Sequence, residues 1–257
     1  MGAPRVDPRR ERAVGVTEVF SRRYAVWAGV VSAAVILFGG ILPLSGAISP
    51  RLGAAATATV FVPAAVGLFL IGARAFPGNA GHPAAHLLTA VRGIAGAALL
   101  VSTATGGATV PSWRLVAVLA AVETTDFFDG RTARRLGSGP FGATWDMEND
   151  AFFTFALSYT LWATGTVPAF VLVLGWMRYL FFLAARTQGP PPGQTPAFTW
   201  FAKTTAAAIV VVLISVFAPP IGRTLRIVAV AIVLAMQLAS FGWEALLILR
   251  AGGSAGE

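Results

Sequence analysis

Long apolar runs, broken by short clusters of Gly, Pro and charge, set the pattern of this chain. A helix needs about 20 apolar residues to cross a bilayer. Eight runs meet that need, at about 24–44, 54–75, 86–107, 112–132, 145–164, 166–186, 198–218 and 224–249. Several breaks are tight: Gly106 to Pro111, Gly165 to Pro168, and Pro219-Pro220. Such short turns make successive helices antiparallel neighbours. The expected fold is all-α and integral to a membrane, with about eight transmembrane helices and no internal repeat. Gly189-Pro190-Pro191-Pro192-Gly193 reads as a loop. Residues 251–257 read as a disordered polar tail.

Composition supports the membrane reading. Of 257 residues, 56% are hydrophobic and 12% charged, with mean hydropathy +0.73. A soluble domain carries about a quarter charged residues. The absence of cysteine excludes disulfides, thiolate zinc sites and cysteine nucleophiles. Two histidines, His82 and His86, are too few for a histidine-rich metal centre.

The net charge of +8 comes largely from arginine. Arg5, Arg9, Arg10, Arg12, Arg22 and Arg23 precede the first apolar run, as cytoplasmic flanks do. With the N-terminus cytoplasmic, Arg74, Arg92, Arg131, Arg134, Arg135, Arg186, Lys203 and Arg250 share its side. Arg51, Arg114, Arg223 and Arg226 face the other. Both termini are therefore expected in the cytoplasm of a multi-pass plasma-membrane protein. No nucleic-acid module is present, and no nucleic-acid partner is expected. A cleaved signal ending near Ser45-Gly46-Ala47 is the competing reading of residues 1–47. The apolar run is longer than a signal core, which favours a retained helix.

Four of the five aspartates fall in one stretch: Asp126, Asp129, Asp146 and Asp150. Charge at a membrane boundary is costly and needs partners. On a helix, residues three or four apart share a face. Asp126, Asp129, Gly130 and Ala133 have that spacing, as do Gly142, Asp146 and Asp150. Two helices thus each present a carboxylate pair, beside small residues that permit close approach. Hard oxygen donors suit Mg²⁺ or Mn²⁺, and Arg134 and Arg135 suit phosphate. Two ions can stabilise a phosphoryl centre and its leaving group. The residues alone therefore point to metal-dependent phosphoryl transfer at the cytoplasmic membrane face.

The run Asp-x2-Asp-Gly-x2-Ala-Arg, then Gly-x3-Asp-x3-Asp, resembles the signature of the CDP-alcohol phosphotransferase (CDP-alcohol phosphatidyltransferase) family. Asp126, Asp129, Gly130, Ala133, Arg134, Gly142, Asp146 and Asp150 match all eight positions. The resemblance implies a six-helix catalytic core, taken as 77–250. A basic tail, 1–23, and two additional helices, 24–76, precede it.

The implied reaction passes a phosphatidyl group from a CDP-linked lipid to a small or phosphorylated alcohol, releasing CMP. Asp126 and Asp146 would bridge two divalent cations, with Asp129 on one and Asp150 on the other. Asp150 would also be the general base. Gly130, Ala133, Arg134 and Gly142 would line the CDP site. Thr89, in a Thr-x2-Arg run ending at Arg92, would touch the nucleotide. His86 stands where family members have Asn, and reads equally as an interfacial cap. A homodimer is implied by the resemblance alone.

For the acceptor, Arg178, Arg186 and Lys203 are the candidates. Arg178 lies deep in its helix, where an arginine either serves a site or snorkels. Glu123 reads as support for the metals or as a partner for a neighbouring helix. Glu148 lies off the aspartate stripe and reads as structural. Trp27, Trp113, Trp162, Trp176, Trp200 and Trp243 read mostly as interface anchors. The rival functions are a cation transporter using the aspartates and a catalytically silent family member.

Overall fold

A computed structural model describes the backbone of residues 8–76, 83–136, 140–185 and 195–253. Its side chains are described for 19–76, 86–125, 141–183, 195 and 198–247. The described residues form eight long helices and no strand. Helix α1 runs Pro8–Ile36 and continues through a π-helical turn, Leu37–Ile41, and a last turn, Leu42–Leu44. The others are α2 (Pro50–Ala75), α3 (Pro83–Thr105), α4 (Trp113–Leu136) and α5 (Pro140–Ala163). A short 3-10 turn (Ala169–Val171) leads to α6 (Leu172–Ala185), then α7 (Pro196–Val216) and α8 (Arg223–Gly253).

Among the described residues, five segments are long and apolar enough to cross a membrane: Val19–Leu44, Pro50–Ala75, His86–Thr105, Phe198–Val216 and Arg223–Leu247. Ala169–Leu183 is apolar but shorter.

Local chemistry explains the helix ends. Ser49 and Thr195 cap α2 and α7, accepting from the Leu52 and Phe198 amides, with Pro50 and Pro196 in the first turn. A proline costs nothing there, because its missing N–H has no partner in the helix anyway. Gly106 and Gly165 stand just past α3 and α5 with φ of +78° and +70°. That left-handed backbone lets the Gly107 and Thr166 amides bond back to Ser102 and Leu161. At the α7–α8 turn, buried Arg226 donates to the Ala218 carbonyl at 2.9 Å. A cation suits the carbonyl end of a helix.

Several expected boundaries move, among them α5, which begins at Pro140 rather than near 145. Helix α1 begins at Pro8 rather than near 24, and Phe20 and Tyr24 are buried. Helix α6 begins only at Leu172, because Pro168 and the 3-10 turn occupy the start of the expected segment. Helix α8 continues to Gly253, into the expected tail. The loop 189–193, Arg186 and residues 254–257 lie outside the described residues.

Helix α5 is central, packing on α2, α3, α6 and α7. Phe152, Phe153, Phe155, Ala156, Leu157, Tyr159 and Leu161 are all almost fully buried. A helix apolar on every side belongs inside a bundle. Lipid tails are as apolar as Leu, so helices associate there through close packing and polar contacts. Gly175 of α6 supplies such packing: a Cβ at this position would lie 2.7 Å from the Phe155 Cα.

The first two helices are fastened to the rest. Helix α1 packs on α2 and α6, and α2 packs on α3 and α5. Trp27 Nε1 donates to the Ala64 carbonyl at 2.7 Å, and Tyr159 Oη donates to the Pro50 carbonyl at 2.7 Å. The tryptophans divide accordingly. Trp113, Trp200 and Trp243 are exposed, as anchors would be. Trp27 is tied to α2, Trp145 is buried, and Trp176 lies against Gly40, where a side chain would have no room.

Candidate active site

The first half of α5 carries the polar stripe. Gly142, Asp146 and Asp150 follow one another by single turns, and each is partly exposed. Helix α3 answers with Thr89 and Arg92, also one turn apart and both buried. Arg92 grips both carboxylates. Its Nη2 donates to Asp146 Oδ1, and its Nε lies 2.9 Å from Asp150 Oδ1. Thr89 Oγ1 donates to the same Asp146 oxygen at 3.4 Å.

The burial is lopsided. The Arg92 side chain is 3% exposed, whereas those of Asp146 and Asp150 are 44% and 45% exposed. A planar guanidinium can hold two acceptors in fixed directions, which an ammonium cannot. The buried arginine therefore holds Asp146 through a hydrogen bond and Asp150 through charge, and much of the surface of both carboxylates stays open.

Asp150, with Arg92, borders a cavity of about 310 Å³ between α3, α4, α5, α7 and α8. Arg92, Glu123, Asp150, Thr154, Lys203 and Gln237 supply its polar lining. On the other side of α3, an apolar groove of about 450 Å³ runs between α2, α3 and α5. Phe61, Val66 and Phe69 line it from α2, Leu87 and Ile94 from α3, and Trp145 from α5.

The sequence candidates distribute as follows. Asp146, Asp150, Thr89, Glu123 and Lys203 come together around Arg92 and the cavity. Asp126, Asp129, Gly130, Ala133 and Arg134 belong to α4, and their side chains lie outside the described residues. Arg186 lies outside them too. Arg178 does not line this cavity. Its Nη2 donates to Glu148 Oε1 at 2.8 Å and to Tyr24 Oη at 2.9 Å. Tyr24 Oη in turn donates to Glu148 Oε1 at 2.5 Å. Buried Glu148 and partly buried Arg178 thus form a pair joined by a hydroxyl from α1.

His86 is not an interfacial cap. It is buried one turn inside α3, its ring 5.3 Å from Phe141, and its carbonyl accepts from Trp145 Nε1. Two residues lacked weight in the sequence. Arg92 was visible as an arginine three residues after Thr89 on an apolar helix. Gln237 gave only the signal of an amide inside an apolar run.

Among the described residues, no three or more His, Cys, Asp or Glu converge as a metal cluster. The donor chemistry of the described pair nonetheless fits a hard cation. Asp146 and Asp150 offer only oxygen, one helical turn apart, on half-exposed side chains.

Comparison with curated proteins and with solved structures returns no match. Residues 83–239 match the profile of the CDP-alcohol phosphatidyltransferase family, from the first turn of α3 to the middle of α8. The match takes in every described residue around the Arg92 cavity and leaves α1 and α2 outside. Covering well over half of the sequence, it makes this chain a member of the CDP-alcohol phosphatidyltransferase family.

Proposed function

We propose that the protein transfers a phosphatidyl group from a CDP-linked lipid, such as CDP-diacylglycerol, to an alcohol, releasing CMP. The observation that carries this reading is the Arg92 fork on Asp146 and Asp150 at the edge of a polar cavity. Asp146 and Asp150 would hold divalent metal with Asp126 and Asp129 of α4. Bound Mg²⁺ or Mn²⁺ would offset charge on the diphosphate.

The protein's own groups do the rest. Asp150 takes the proton from the acceptor hydroxyl. The acceptor oxygen bonds to the lipid-side phosphorus, and the bond from that phosphorus to the oxygen of CMP breaks. Arg92 keeps both carboxylates turned toward the reacting groups. Lys203, exposed at the cavity, draws an anionic acceptor. Gly130, Ala133, Arg134 and Gly142 would flank the nucleotide, and Thr89 acts on it through Asp146. The apolar groove beside α3 is suited to a lipid tail.

The site would face the cytoplasm of the plasma membrane, with both termini on that side, which the arginine-rich start supports. A homodimer completes the proposal.

The experiment is direct. Purified protein with Mg²⁺ or Mn²⁺ and CDP-diacylglycerol should release CMP once a suitable alcohol is added. Asp150→Asn should still bind the donor but turn over poorly. Full activity in that variant would remove Asp150 as the base. Cation flux into liposomes without CMP release would favour a transporter.

A further inference from the structure

The end of the bundle opposite Asp146 and Asp150 carries charge that the site does not use. Thr164, just past the end of α5, stands about 21 Å along the helix axis from Asp150. Arg51, Arg114, Arg223 and Arg226 all lie in first helical turns at this end. All 11 acids fall outside residues 19–122 and 151–243, the stretches that build it. No carboxylate is therefore at hand for these arginines. Arg226 is buried and donates to the Ala218 carbonyl, whereas Arg51, Arg114 and Arg223 are exposed. The basic start of the chain marks the other end, so a one-sided charge bias does not account for them.

Arg51 differs from the other exposed arginines in where it lies. A cavity of about 330 Å³ is lined by Arg51 of α2, Thr103 of α3, Gly106 and Thr109 of the α3–α4 turn, and Ala163 and Thr164 at the end of α5. The guanidinium rests against Gly106, where a Cβ would lie 3.2 Å from its Nη2. Thr103 and Thr164 donate to the Leu99 and Thr160 carbonyls, at 2.9 and 2.7 Å. Those two hydroxyls shape the wall, and exposed Arg51 and Thr109 are left to donate to a ligand. The cavity thus offers one strong cation and one hydroxyl, with no acid to repel an anion.

The depth of the cavity indicates the source of the anion. Arg51 is the second residue of the span Pro50–Ala75, and Thr103 lies in the last turn of the span His86–Thr105. Both stand at the level where a bilayer places its headgroups. A guanidinium matches phosphate oxygens with a rigid fork of donors. A zwitterionic headgroup also brings an ammonium, and this end of the protein has no carboxylate to receive it. We propose that the Arg51 cavity holds the phosphodiester of an anionic phospholipid, in the leaflet opposite Asp146 and Asp150. That lipid joins α2, one of the two helices outside the family match, to α3 and α5. The assignment does not depend on the transfer reaction.

The test follows Tm of the full chain in a neutral detergent at constant ionic strength. Phosphatidylglycerol, phosphatidylcholine or inorganic phosphate is added. Phosphatidylglycerol at about ten times its dissociation constant should raise Tm by about 3–6 °C. Phosphatidylcholine and inorganic phosphate should each leave Tm within about 1 °C of the lipid-free value. In Arg51→Gln the rise with phosphatidylglycerol should fall to about 1 °C or less. Arg114→Gln, on the same face but outside the cavity, should keep the full rise.

An arginine that only packs against the ends of α3 and α5 predicts something else: a lower Tm without lipid and an unchanged rise with it. That pattern in Arg51→Gln would overturn the assignment. An equal loss of the rise in Arg114→Gln would reduce the site to diffuse surface charge and overturn it too. So would a wild type that phosphatidylglycerol does not stabilise. A wild type stabilised as much by phosphatidylcholine or inorganic phosphate would do the same, and that comparison needs no variant to fold.

Discussion

The Tyr24 hydroxyl is the point where α1 meets the Arg178–Glu148 ion pair, and Tyr24→Phe isolates its contribution. Tyr24 is 2% exposed. Its ring packs with Phe20, Trp27 and Phe182, and phenylalanine keeps those contacts. Only two hydrogen bonds are lost: the one donated to Glu148 Oε1 and the one accepted from Arg178. A neutral hydrogen bond between membrane helices contributes about 0.6 kcal/mol. Hydrogen bonds to charged groups contribute about 1.5–3 kcal/mol. Both partners here are charged, so the second figure governs, and the loss should be about 2 kcal/mol. At about 2–4 °C per kcal/mol for a chain of this size, Tm should fall by roughly 4–8 °C. The assay is thermal unfolding of the detergent-purified protein, followed by tryptophan fluorescence. The loss should shrink when Tyr24→Phe is made in a Glu148→Gln background, because the charge that strengthens the bond is gone. A drop below about 1 °C in the wild-type background would refute the reasoning and reduce the triad to a geometric coincidence.

Other expectations concern the site and its support. Arg92→Lys keeps the charge but loses the fork that reaches two carboxylates. Transfer should fall by about 10–100-fold, measured as CMP release, with Tm little changed. Gly175→Ala forces a methyl against the Phe155 backbone. It should destabilise by about 1–3 kcal/mol in the same melting assay. Treatment with EDTA should abolish CMP release, and Mg²⁺ or Mn²⁺ should restore it, whereas activity that survives exhaustive chelation would refute the metal reading.

The sequence made much of this legible because two periodicities dominate it. Apolar runs of bilayer length announced the helices, and single-turn spacing put Asp146 and Asp150 on one stripe. What stayed hidden depends on long-range contact. Arg178 and Glu148 are 30 residues apart, and nothing local says that they pair. Tyr24 lies 154 residues from Arg178, in helices that looked like a bare addition. The start of α1 was misjudged because arginine is both an interface marker and a good helix former. Gln237 gave no local pattern, since its place at the cavity comes from packing between helices.

The triad also sets a schedule for biosynthesis. Glu148 follows Tyr24 by 124 residues. At about 5–20 residues per second, on the order of 10 s separates the two during synthesis. For that interval α1 enters the bilayer with a tyrosine hydroxyl lacking both of its eventual charged partners. Helices α1 and α2 can find each other early, through Trp27 and Ala64. Helix α2 can join α3 as soon as that helix emerges, whereas α1 cannot close onto α6 until α6 has emerged. Closure of the Tyr24 contact therefore marks completed assembly rather than its beginning.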